Sequence, residues 1–474
     1  MKTYDCVVIG GGVVGASIFN KLVRLGNSVA LLDKASDVAT GASKANSGIV
    51  HAGYDPMPNT LKAKLNVEGS ELFPKLCRRL NVPIKNCGAL VVGDDIEKIR
   101  TLYERGKQNG VKKLEILNRD KIKQLVPDIS DSISCALYAK TSRIVSPYLF
   151  TINLCEEGII NGGEVFLEED IESVKKVKGE FIIKTKKNTF HALNIVNSAG
   201  AGYNEIAKIL GSEEYEIQFR RGEYFVFSKT ANLNVPCTIF PLPTKKGKGV
   251  LITPTVDGNF LVGPTSERSE NETVTTDLGL NDIKEKAKNI ILNINFKNAI
   301  REFSGIRIIC GEDFIIEKSK KVKNVINIAG ICSPGLSSAP AIANMVATLL
   351  GFNLEEKKNL KRLKEIKLLK DYDEETQNEM IKQNKDYGEI VCKCEKITKG
   401  DVINTLNRPL KIRSVDGVKR RTNAGMGICQ GGFCFTKVVN LIKDVRNIKY
   451  EEVLKENRGS EVAYGNIREV KNEN

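Results

Sequence analysis

The sequence predicts a mixed α/β protein, α+β overall, with a Rossmann-like domain built from separated segments, an inserted antiparallel-sheet domain and a small C-terminal module. Three observations support this. A strand, a glycine turn, a helix and a second strand open the chain, short strands bounded by Pro and Gly fill residues 215–265, and the composition changes abruptly after Gly351. The first pattern is typical of a parallel sheet covered by helices, and the second of an antiparallel sheet.

Size and charge narrow the class of protein. The chain has 474 residues, enough for two or three domains, and its 41% hydrophobic and 27% charged residues are ordinary for a globular protein. No run approaches the ~18 apolar residues needed to cross a bilayer. The N-terminus enters a strand directly, so we predict a cytoplasmic protein. The net charge of +14 is spread along the chain, which argues against nucleic acid and leaves anionic metabolites and peripheral membrane association open.

The opening unit carries a phosphate-binding turn. YDCVVIG is a buried strand, SIFNKLVRLG an amphipathic helix and NSVALLD a second strand. Gly10, Gly12 and Gly15 form the pattern GxGxxG before the helix, where bare backbone lets a pyrophosphate approach the N–H groups of the helix start. Asp33 ends the second strand and is placed to accept hydrogen bonds from ribose hydroxyls. Together these features predict a dinucleotide site for FAD or NAD.

Two later segments repeat the pattern of a short strand, a glycine-rich turn and a helix. They are HALNIVNSAGAG, with Gly200 in its turn, and NVINIAGICSPGLSSAPAIANMVATLL. The second places a turn at Gly330–Ser338 that ends in Pro340 near a helix start, where N–H groups favour an anion. We expect both pieces to complete the dinucleotide domain. The expected cofactor contacts in the second turn are Gly330, Gly335, Leu336 and Ser337.

The segment TGASKANSGIVHAGYD, residues 40–55, is small, polar and rich in glycine. Such a composition does not suit a packed core. We interpret the segment as a loop that lies along an extended cofactor, with Thr40 and Ser43 as contacts. This interpretation favours FAD over NAD.

Several motifs occur in the order found in one enzyme superfamily. They are the N-terminal glycine turn, NSGIVHAG, RGEYFVF, PLPTKKGKGVLITPTVDGNFLVGPT, SGIRI, IAGICSPGLSSAPAIA and VDGVKRRTNAGMGICQGGFC. On these motifs the chain resembles FAD-dependent oxidoreductases of the D-amino-acid oxidase and glycerol-3-phosphate dehydrogenase superfamily. Within it, the chain is most similar to glycerol-3-phosphate dehydrogenases with a C-terminal domain like bacterioferritin-associated ferredoxin, and also to L-2-hydroxyglutarate dehydrogenases.

Candidate catalytic residues lie in these motifs. His51, one of two histidines, lies in the FAD loop and is the candidate general base, with a structural role as the alternative. The resemblance implies that it removes a hydroxyl proton while hydride leaves for flavin N5, and Ser47 is expected to help hold the substrate oxygen. Arg307 is the candidate clamp for an anionic substrate, as the resemblance also implies, with a structural salt bridge as the alternative. Arg221 is a weaker candidate, and His191 is interpreted as structural.

Four of the twelve cysteines fall in one short region. Cys392 and Cys394 form CxC, and Cys429 and Cys434 form CxxxxC among several glycines. Four thiolates suit a [2Fe–2S] cluster or zinc, and the glycines favour the cluster because their exposed N–H groups can bond its sulfides. Cysteines that bind no metal are the third alternative. Nearby cations are expected to offset the charge of the cluster: Lys393, Lys396, Arg420 and Arg421.

The remaining candidates are given structural interpretations. Lys245, Lys246 and Lys248 are interpreted as surface residues of a hairpin loop, with a substrate gate as the alternative. Cys332 is interpreted as non-catalytic because no CxxC accompanies it. Most cysteines that occur singly are expected in the core: Cys6, Cys77, Cys87, Cys135, Cys155, Cys237, Cys310 and Cys332.

The predicted domains follow from these patterns. An FAD-dependent oxidoreductase domain is expected at 1–355, a charged helical linker at 356–388 and a [2Fe–2S] domain at 389–474, whose last residues, SEVAYGNIREVKNEN, form a polar tail assigned to no element. FAD-binding segments are expected at about 1–80, 145–214 and 300–355, and substrate-domain segments at about 81–144 and 215–299.

A flavin accepts two electrons as hydride and an iron–sulfur centre passes one at a time, so both together predict a dehydrogenase that relays electrons to quinone or a protein acceptor. A cluster with a purely structural role is the alternative. The expected reaction is oxidation of sn-glycerol 3-phosphate to dihydroxyacetone phosphate. The alternatives are an L-2-hydroxyglutarate or other 2-hydroxy acid dehydrogenase and, from another class, a non-catalytic electron carrier or redox sensor. A hetero-oligomer is left open.

Overall fold

The computed structural model describes residues 2–243 and 249–465. Three predicted surface lysines, Lys245, Lys246 and Lys248, and the end of the polar tail, residues 466–474, lie outside the described residues. The strands, in chain order, are β1 (Thr3–Tyr4), β2 (Cys6–Ile9), β3 (Val29–Asp33), β4 (Ile49–Val50), β5 (Ile84–Lys85), β6 (Ala89–Gly93), β7 (Leu114–Asn118), β8 (Cys135–Ala139), β9 (Arg143–Val145), β10 (Glu164–Leu167), β11 (Ile171–Val177), β12 (Glu180–Thr185), β13 (Thr189–Ala192), β14 (Ile195–Asn197), β15 (Gln218–Phe227), β16 (Thr238–Pro241), β17 (Leu251–Pro254), β18 (Phe260–Gly263), β19 (Glu267–Ser269), β20 (Ala299–Ile309), β21 (Ile315–Lys318), β22 (Val325–Ala329), β23 (Ile390–Cys392) and β24 (Ile397–Thr398). The α-helices are α1 (Val13–Arg24), α2 (Leu61–Leu80), α3 (Ile96–Gln108), α4 (Arg119–Leu125), α5 (Pro147–Ile160), α6 (Tyr203–Leu210), α7 (Asp277–Lys288), α8 (Gly335–Leu350), α9 (Glu374–Gln383), α10 (Lys399–Leu406), α11 (Val415–Thr422) and α12 (Phe435–Arg446).

A six-stranded sheet forms the centre of the predicted dinucleotide domain. Its order is β10-β3-β2-β14-β22-β21, and every neighbouring pair is parallel except β21 with β22. Alternation along β2 sends Cys6 and Val8 into a core with α1, α2, α5 and α8, and Val7 and Ile9 into a second core. That second core lies under the small sheet β1-β13-β12-β11. The central sheet is therefore covered on both faces, and its strands come from separated parts of the chain, as predicted for this domain.

A nine-stranded sheet forms the second domain. Its order is β19-β15-β18-β17-β16-β6-β8-β7, with β20 also paired to β15, and it is antiparallel apart from the β16–β6 pair. The strands predicted within 215–265 are present. The predicted start of an FAD-binding segment at residue 300 is corrected, because β20 is paired along its length with β15 of this sheet. The other segment boundaries stay predictions.

The linker predicted as helical is corrected over its first half. Residues 352–368 run without helix, and only α9 and short 3-10 turns follow before 389. The extended run is fastened to the first domain: the Lys357 N–H donates to the Arg24 carbonyl at 2.8 Å, and Asn81 Nδ2 donates to the Leu363 carbonyl at 2.9 Å. These tertiary contacts replace the i to i+4 bonds of a helix, so helix-forming composition alone did not decide the conformation.

The turn predicted at Gly330–Ser338 is also shorter than expected. Helix α8 already begins at Gly335, so Pro340 lies inside the helix. A Cβ at Gly69 of α2 would stand 2.0 Å from the Ser337 carbonyl oxygen, which shows how closely the two helices approach. We attribute the tolerance of this interior proline to the close packing of α8 against α1 and α2.

The C-terminal module packs onto both larger domains through ion pairs. The fully buried Asp37 accepts hydrogen bonds from Arg420 and Arg421 of α11 at 2.8 to 3.0 Å. The predicted role of these two arginines as counter-charges for the cluster is therefore corrected, since their guanidinium groups are bound to this carboxylate. Two further pairs are Arg408–Glu156 and Lys229–Glu395. Among the described residues, we find no helix with both the length and the apolar character required to traverse a membrane.

Candidate active site

One cavity of about 2490 Å³ brings most of the predicted site residues together. It runs past the glycine turn, the 40–51 loop, the inner faces of β15 and β20 and the start of α8. The predicted residues that line it are Gly10, Gly12, Asp33, Thr40, Ser43, Ser47, His51, Gly200, Arg307, Gly330, Gly335 and Leu336. Gly15 and Ser337 do not line it, and their roles are indirect.

The glycine turn fits a pyrophosphate. Gly10 has a φ of 104°, and a Cβ there would stand 2.6 Å from the Ser198 carbonyl oxygen. A Cβ at Gly15 would stand 1.9 Å from the Gly10 carbonyl oxygen, so this glycine allows the helix to pack under the turn. Gly12 is the N-cap of α1, and the N–H of Val13 donates to Ser43 Oγ at 2.8 Å. The helix start therefore faces the cavity with a polar loop fixed beside it, as an anionic diphosphate needs.

Asp33 holds the turn as well as facing the cavity. One carboxylate oxygen accepts from the Gly11 N–H at 2.6 Å, and the other from the Ala35 N–H at 2.7 Å. Burial raises the pKa of this carboxyl, and the two hydrogen bonds oppose that effect. Each oxygen keeps a second lone pair for a ribose hydroxyl.

His51 is fixed through its backbone. Its N–H donates to Ser337 Oγ at 2.8 Å, and its carbonyl lies 3.1 Å from the side-chain nitrogen of the buried Asn66, when that amide is oriented to satisfy its neighbours. The preceding strand β4 pairs with β9. The imidazole lines the cavity with its centroid 5.7 Å from that of Phe240. The loop thus presents the ring to the cavity from a rigid support.

Ser47 meets a residue that the sequence reasoning missed. Ser47 Oγ lies 3.1 Å from the hydroxyl of Tyr224 on β15, and this tyrosine stacks on Phe303 of β20 with the ring centroids 4.7 Å apart. Both aromatic residues line the cavity. The sequence did contain a signal for Tyr224: the two-residue alternation of RRGEYFVF puts Arg220 and Tyr224 on one face of the strand.

Two arginines face the same serine across β15 and β20. Arg220 is paired directly with Arg307 in the strand register. Arg220 Nε donates to Ser266 Oγ at 2.9 Å, and Arg307 Nη1 donates to the same oxygen at 3.1 Å. Both line the cavity, and within residues 2–243 and 249–465 neither forms an ion pair with a carboxylate. The predicted Arg307 is thus joined by Arg220, which sequence reasoning passed over in favour of its neighbour.

The prediction that Arg221 helps to bind the substrate is corrected. Its Nε donates to Oε1 of the buried Glu223 at 3.0 Å, and it does not line the cavity. Alternation along β15 turns it away from Arg220, so its role is structural. His191 lies outside the cavity on β13, with Nδ1 3.4 Å from the Glu180 carboxylate. Cys332 lines the cavity, and its Sγ lies 3.6 Å from the Ser333 carbonyl.

The four clustered cysteines form two pairs. The Sγ atoms of Cys394 and Cys429 are 3.6 Å apart. Cys392 and Cys434 form the second pair through a contact of their thiols, and burial together with the Cys392 thiol raises the pKa of Cys434 to about 12. Burial also acts to raise the pKa of Cys429, but backbone N–H groups, led by that of Gly431, bring it below the usual value.

This arrangement of two thiol pairs fits a two-iron centre. In the part of the chain that the structure describes, no three His, Cys, Asp or Glu side chains converge as ligands of a single ion. A [2Fe–2S] cluster needs only two thiolates at each iron, and N–H groups from a glycine loop can bond its sulfurs. A Cβ at Gly427 would stand 2.3 Å from Cys394 Cβ, so glycine is required for the loop to close over the pairs.

The cysteine module also forms part of the cavity wall. Met426 and Gln430, in the loop that carries Cys429, line the same cavity as Ser47 and His51. The guanidinium of Arg301, on β20, donates to Gln430 Oε1 at 3.0 Å. The cysteine pairs therefore lie next to the wall of the cofactor cavity, a relationship that the linker sequence did not reveal.

A family model described as FAD dependent oxidoreductase matches residues 5–349. The chain belongs to the FAD-dependent oxidoreductases. A second model, the BFD-like [2Fe-2S] binding domain, matches residues 390–444 of this FAD-dependent oxidoreductase and includes all four clustered cysteines. FAD and a [2Fe–2S] cluster, the predicted cofactors, are thereby confirmed, and so is the predicted fold class.

Individual relatives of the chain are also named as dehydrogenases or oxidases. Over 98% of both chains, the oxidoreductase is 42% identical to a glycerol 3-phosphate dehydrogenase of Caloramator mitchellensis. The structure of reduced L-alpha-glycerophosphate oxidase from Mycoplasma pneumoniae with FAD bound superposes with a TM-score of 0.73, at 29% identity, over 77% of this chain and all of that one. L-2-hydroxyglutarate dehydrogenase of Escherichia coli K12 is 30% identical over 56% of this chain and 64% of its own length.

Proposed function

We propose that this oxidoreductase oxidises sn-glycerol 3-phosphate to dihydroxyacetone phosphate. The observation that carries the proposal is the pair formed by Arg220 and Arg307, which share Ser266 in the cofactor cavity and have no carboxylate partner among the described residues. Two guanidinium groups suit a phosphate dianion, which accepts bidentate hydrogen bonds. Full-length similarity to a glycerol 3-phosphate dehydrogenase supports the same substrate.

The roles of the other side chains follow from the substrate. His51 takes the proton of the C2 hydroxyl, and Ser47, itself held by Tyr224, orients that oxygen. When bound, FAD supplies the acceptor for the hydride that leaves C2. The bonds of the His51 backbone to Ser337 and Asn66 keep the base in one position while the arginines hold the phosphate.

The cluster supports a dehydrogenase that sends electrons to an external acceptor. Gln430, beside Cys429, lines the cofactor cavity, so the module that carries the cysteines is in contact with the site where substrate is oxidised. A one-electron centre at this position serves a quinone or a redox protein better than it serves direct reduction of oxygen.

The test is an anaerobic titration of the purified holoprotein, followed by the flavin absorbance. We expect sn-glycerol 3-phosphate to bleach the flavin band at micromolar to millimolar concentrations and L-2-hydroxyglutarate to leave it unchanged. Bleaching by L-2-hydroxyglutarate alone would assign the arginine pair to a dicarboxylate, which is the second candidate. No bleaching by either would favour a non-catalytic electron carrier.

A further inference from the structure

Two large apolar side chains of the C-terminal module remain in solvent beside the cysteine pairs. Ile428 is 71% exposed and Phe433 is 84% exposed. Each is the chain neighbour of a clustered cysteine, Cys429 and Cys434 respectively. Single exposed apolar residues are ordinary, but two at the ends of one six-residue loop form a local patch.

The cysteine pairs differ in exposure. Cys392 and Cys434 are buried in the core of the module, whereas Cys394 is exposed and Cys429 is partly exposed. The Cys394 and Cys429 pair is therefore the edge that faces solvent, and the apolar loop lies at this edge.

The exposed charged residues beside Cys394 in the sequence are positive. The side chains of Lys393 and Lys396 flank Cys394 and are exposed, and within the described ranges neither ammonium group forms a hydrogen bond or an ion pair. The nearest carboxylate in sequence, that of Glu395, is instead buried and bound by Lys229 at 2.7 Å. We call the surface formed by Lys393, Lys396, Ile428 and Phe433 the cluster face.

We propose that the cluster face is the docking surface for an acidic one-electron redox protein. The inference rests on the proposed function, in which electrons from the substrate leave through the module. A small apolar patch with a basic rim suits a transient electron-transfer contact, which buries less than about 1,200 Å². A membrane surface needs a broader apolar face than two side chains, and a second copy of the chain would bring the same positive rim against this one.

The electron balance is simple. Oxidation of one substrate hydroxyl to a carbonyl releases two electrons. Each docked partner accepts one electron at its oxidised centre, so two partner molecules are reduced for each substrate molecule oxidised. Two protons are released with these electrons: the proton of the hydroxyl goes to His51 and then to solvent, and the hydrogen from C2 ends as a second proton in solvent.

Binding is measured first. Cytochrome b5, an acidic haem protein, is titrated calorimetrically into the oxidised holoprotein at low salt, and basic cytochrome c serves as the opposite-charge probe. We expect Ile428→Ser combined with Phe433→Ser, and separately Lys393→Glu combined with Lys396→Glu, to weaken cytochrome b5 binding at least tenfold. Leu278→Ser, at an 86% exposed position on α7, is the matched control and should leave binding unchanged.

Electron transfer is measured second, from photoreduced protein to cytochrome b5 in a stopped-flow instrument. Both double variants should slow it tenfold, rising salt should slow it in the wild type, and the visible spectrum of the cluster should be the same in all proteins. Since light supplies the electrons, the result does not depend on whether glycerol 3-phosphate reduces the flavin.

Four results would overturn the docking surface. The first is unchanged binding of cytochrome b5 in both double variants, and the second is tighter binding of cytochrome c than of cytochrome b5. The third is that the variants mainly lose binding to anionic phospholipid vesicles. The fourth is that the wild type self-associates in sedimentation and the variants do not. The last two would assign the face to a membrane or to a second copy.

Discussion

The backbone N–H of His51 donates a hydrogen bond to Oγ of Ser337, over a distance of 2.8 Å. This bond joins the loop that carries the proposed base to the start of α8, which lies across the same cavity. The serine hydroxyl is fully buried and also approaches the Ile49 carbonyl. The position of the base therefore depends on a helix almost 290 residues further along the chain.

Ser337→Ala should lower kcat about fivefold to tenfold with little change in KM. The substitution leaves a partly buried N–H without its acceptor, which costs up to about 1–3 kcal/mol and lets the His51 loop move. Steady-state kinetics with glycerol 3-phosphate measure the effect. Ser338→Ala is the matched control, because its equally buried hydroxyl bonds, among the described residues, only the Pro334 carbonyl of its own helix cap. Equal loss of kcat in both variants would contradict the positioning role.

His51→Ala should lower kcat by about 10²- to 10⁴-fold, the range expected for a lost general base. His191→Ala, at the other histidine, should have no effect on turnover because that residue lies outside the cavity. Rapid mixing with substrate, followed at the flavin band, separates the chemical step from later electron transfer. Turnover of His51→Ala within a few-fold of the wild type would remove this residue from the mechanism.

Arg307→Ala and Arg220→Ala should each raise KM for glycerol 3-phosphate by about 10- to 100-fold, because each removes a charge-assisted contact. Arg221→Ala is the internal control. Its guanidinium bonds the buried Glu223, so this variant should lose thermal stability and keep its KM. A KM effect confined to Arg221→Ala would mean that the substrate binds on the other face of β15.

Asp37→Asn should weaken the attachment of the C-terminal module, since breaking a buried ion pair costs about 3–5 kcal/mol. Burial acts to raise the pKa of Asp37, but Arg421 and Arg420 bring it down to about 2. An unfolded Asp titrates near 3.9, so the stabilisation is present above about pH 4 and is lost as the pH falls toward 2. The melting temperatures of wild type and variant should therefore differ at pH 7 and converge near pH 2. A constant difference would contradict the ion pair.

Cys429→Ser should remove the visible absorption of the cluster and leave FAD bound. The contacts that dock the module onto the FAD domain, such as Asp37 with Arg421, do not involve the cysteines. Absorbance and released flavin are measured on the same sample, with Cys332→Ser as a control that should keep both cofactors. Loss of FAD together with the cluster would show that the cysteine loop itself closes the cofactor cavity.

The sequence by itself determined the local features. The strand, glycine turn and helix at Gly10–Gly15 follow from rules that act within a few residues, because backbone approach and hydrophobic period are local properties. The spacing within each cysteine pattern, CxC at Cys392 and CxxxxC at Cys429, is equally local. These signals were enough to predict the cofactors and the fold class, and the comparisons confirm both.

Only the tertiary structure decided which side chains meet. The register of β15 with β20 pairs Arg220 with Arg307, and no local pattern fixes the register of strands that lie about 80 residues apart. The same limit explains why the helical prediction is wrong over residues 356–368, where contacts with Arg24 and Asn81 override composition. It also explains the wrong prediction for Arg421, which was expected to offset the charge of the cluster. In the fold Arg421 binds Asp37, because a buried carboxylate needs a cationic partner and this one lies far away in the sequence.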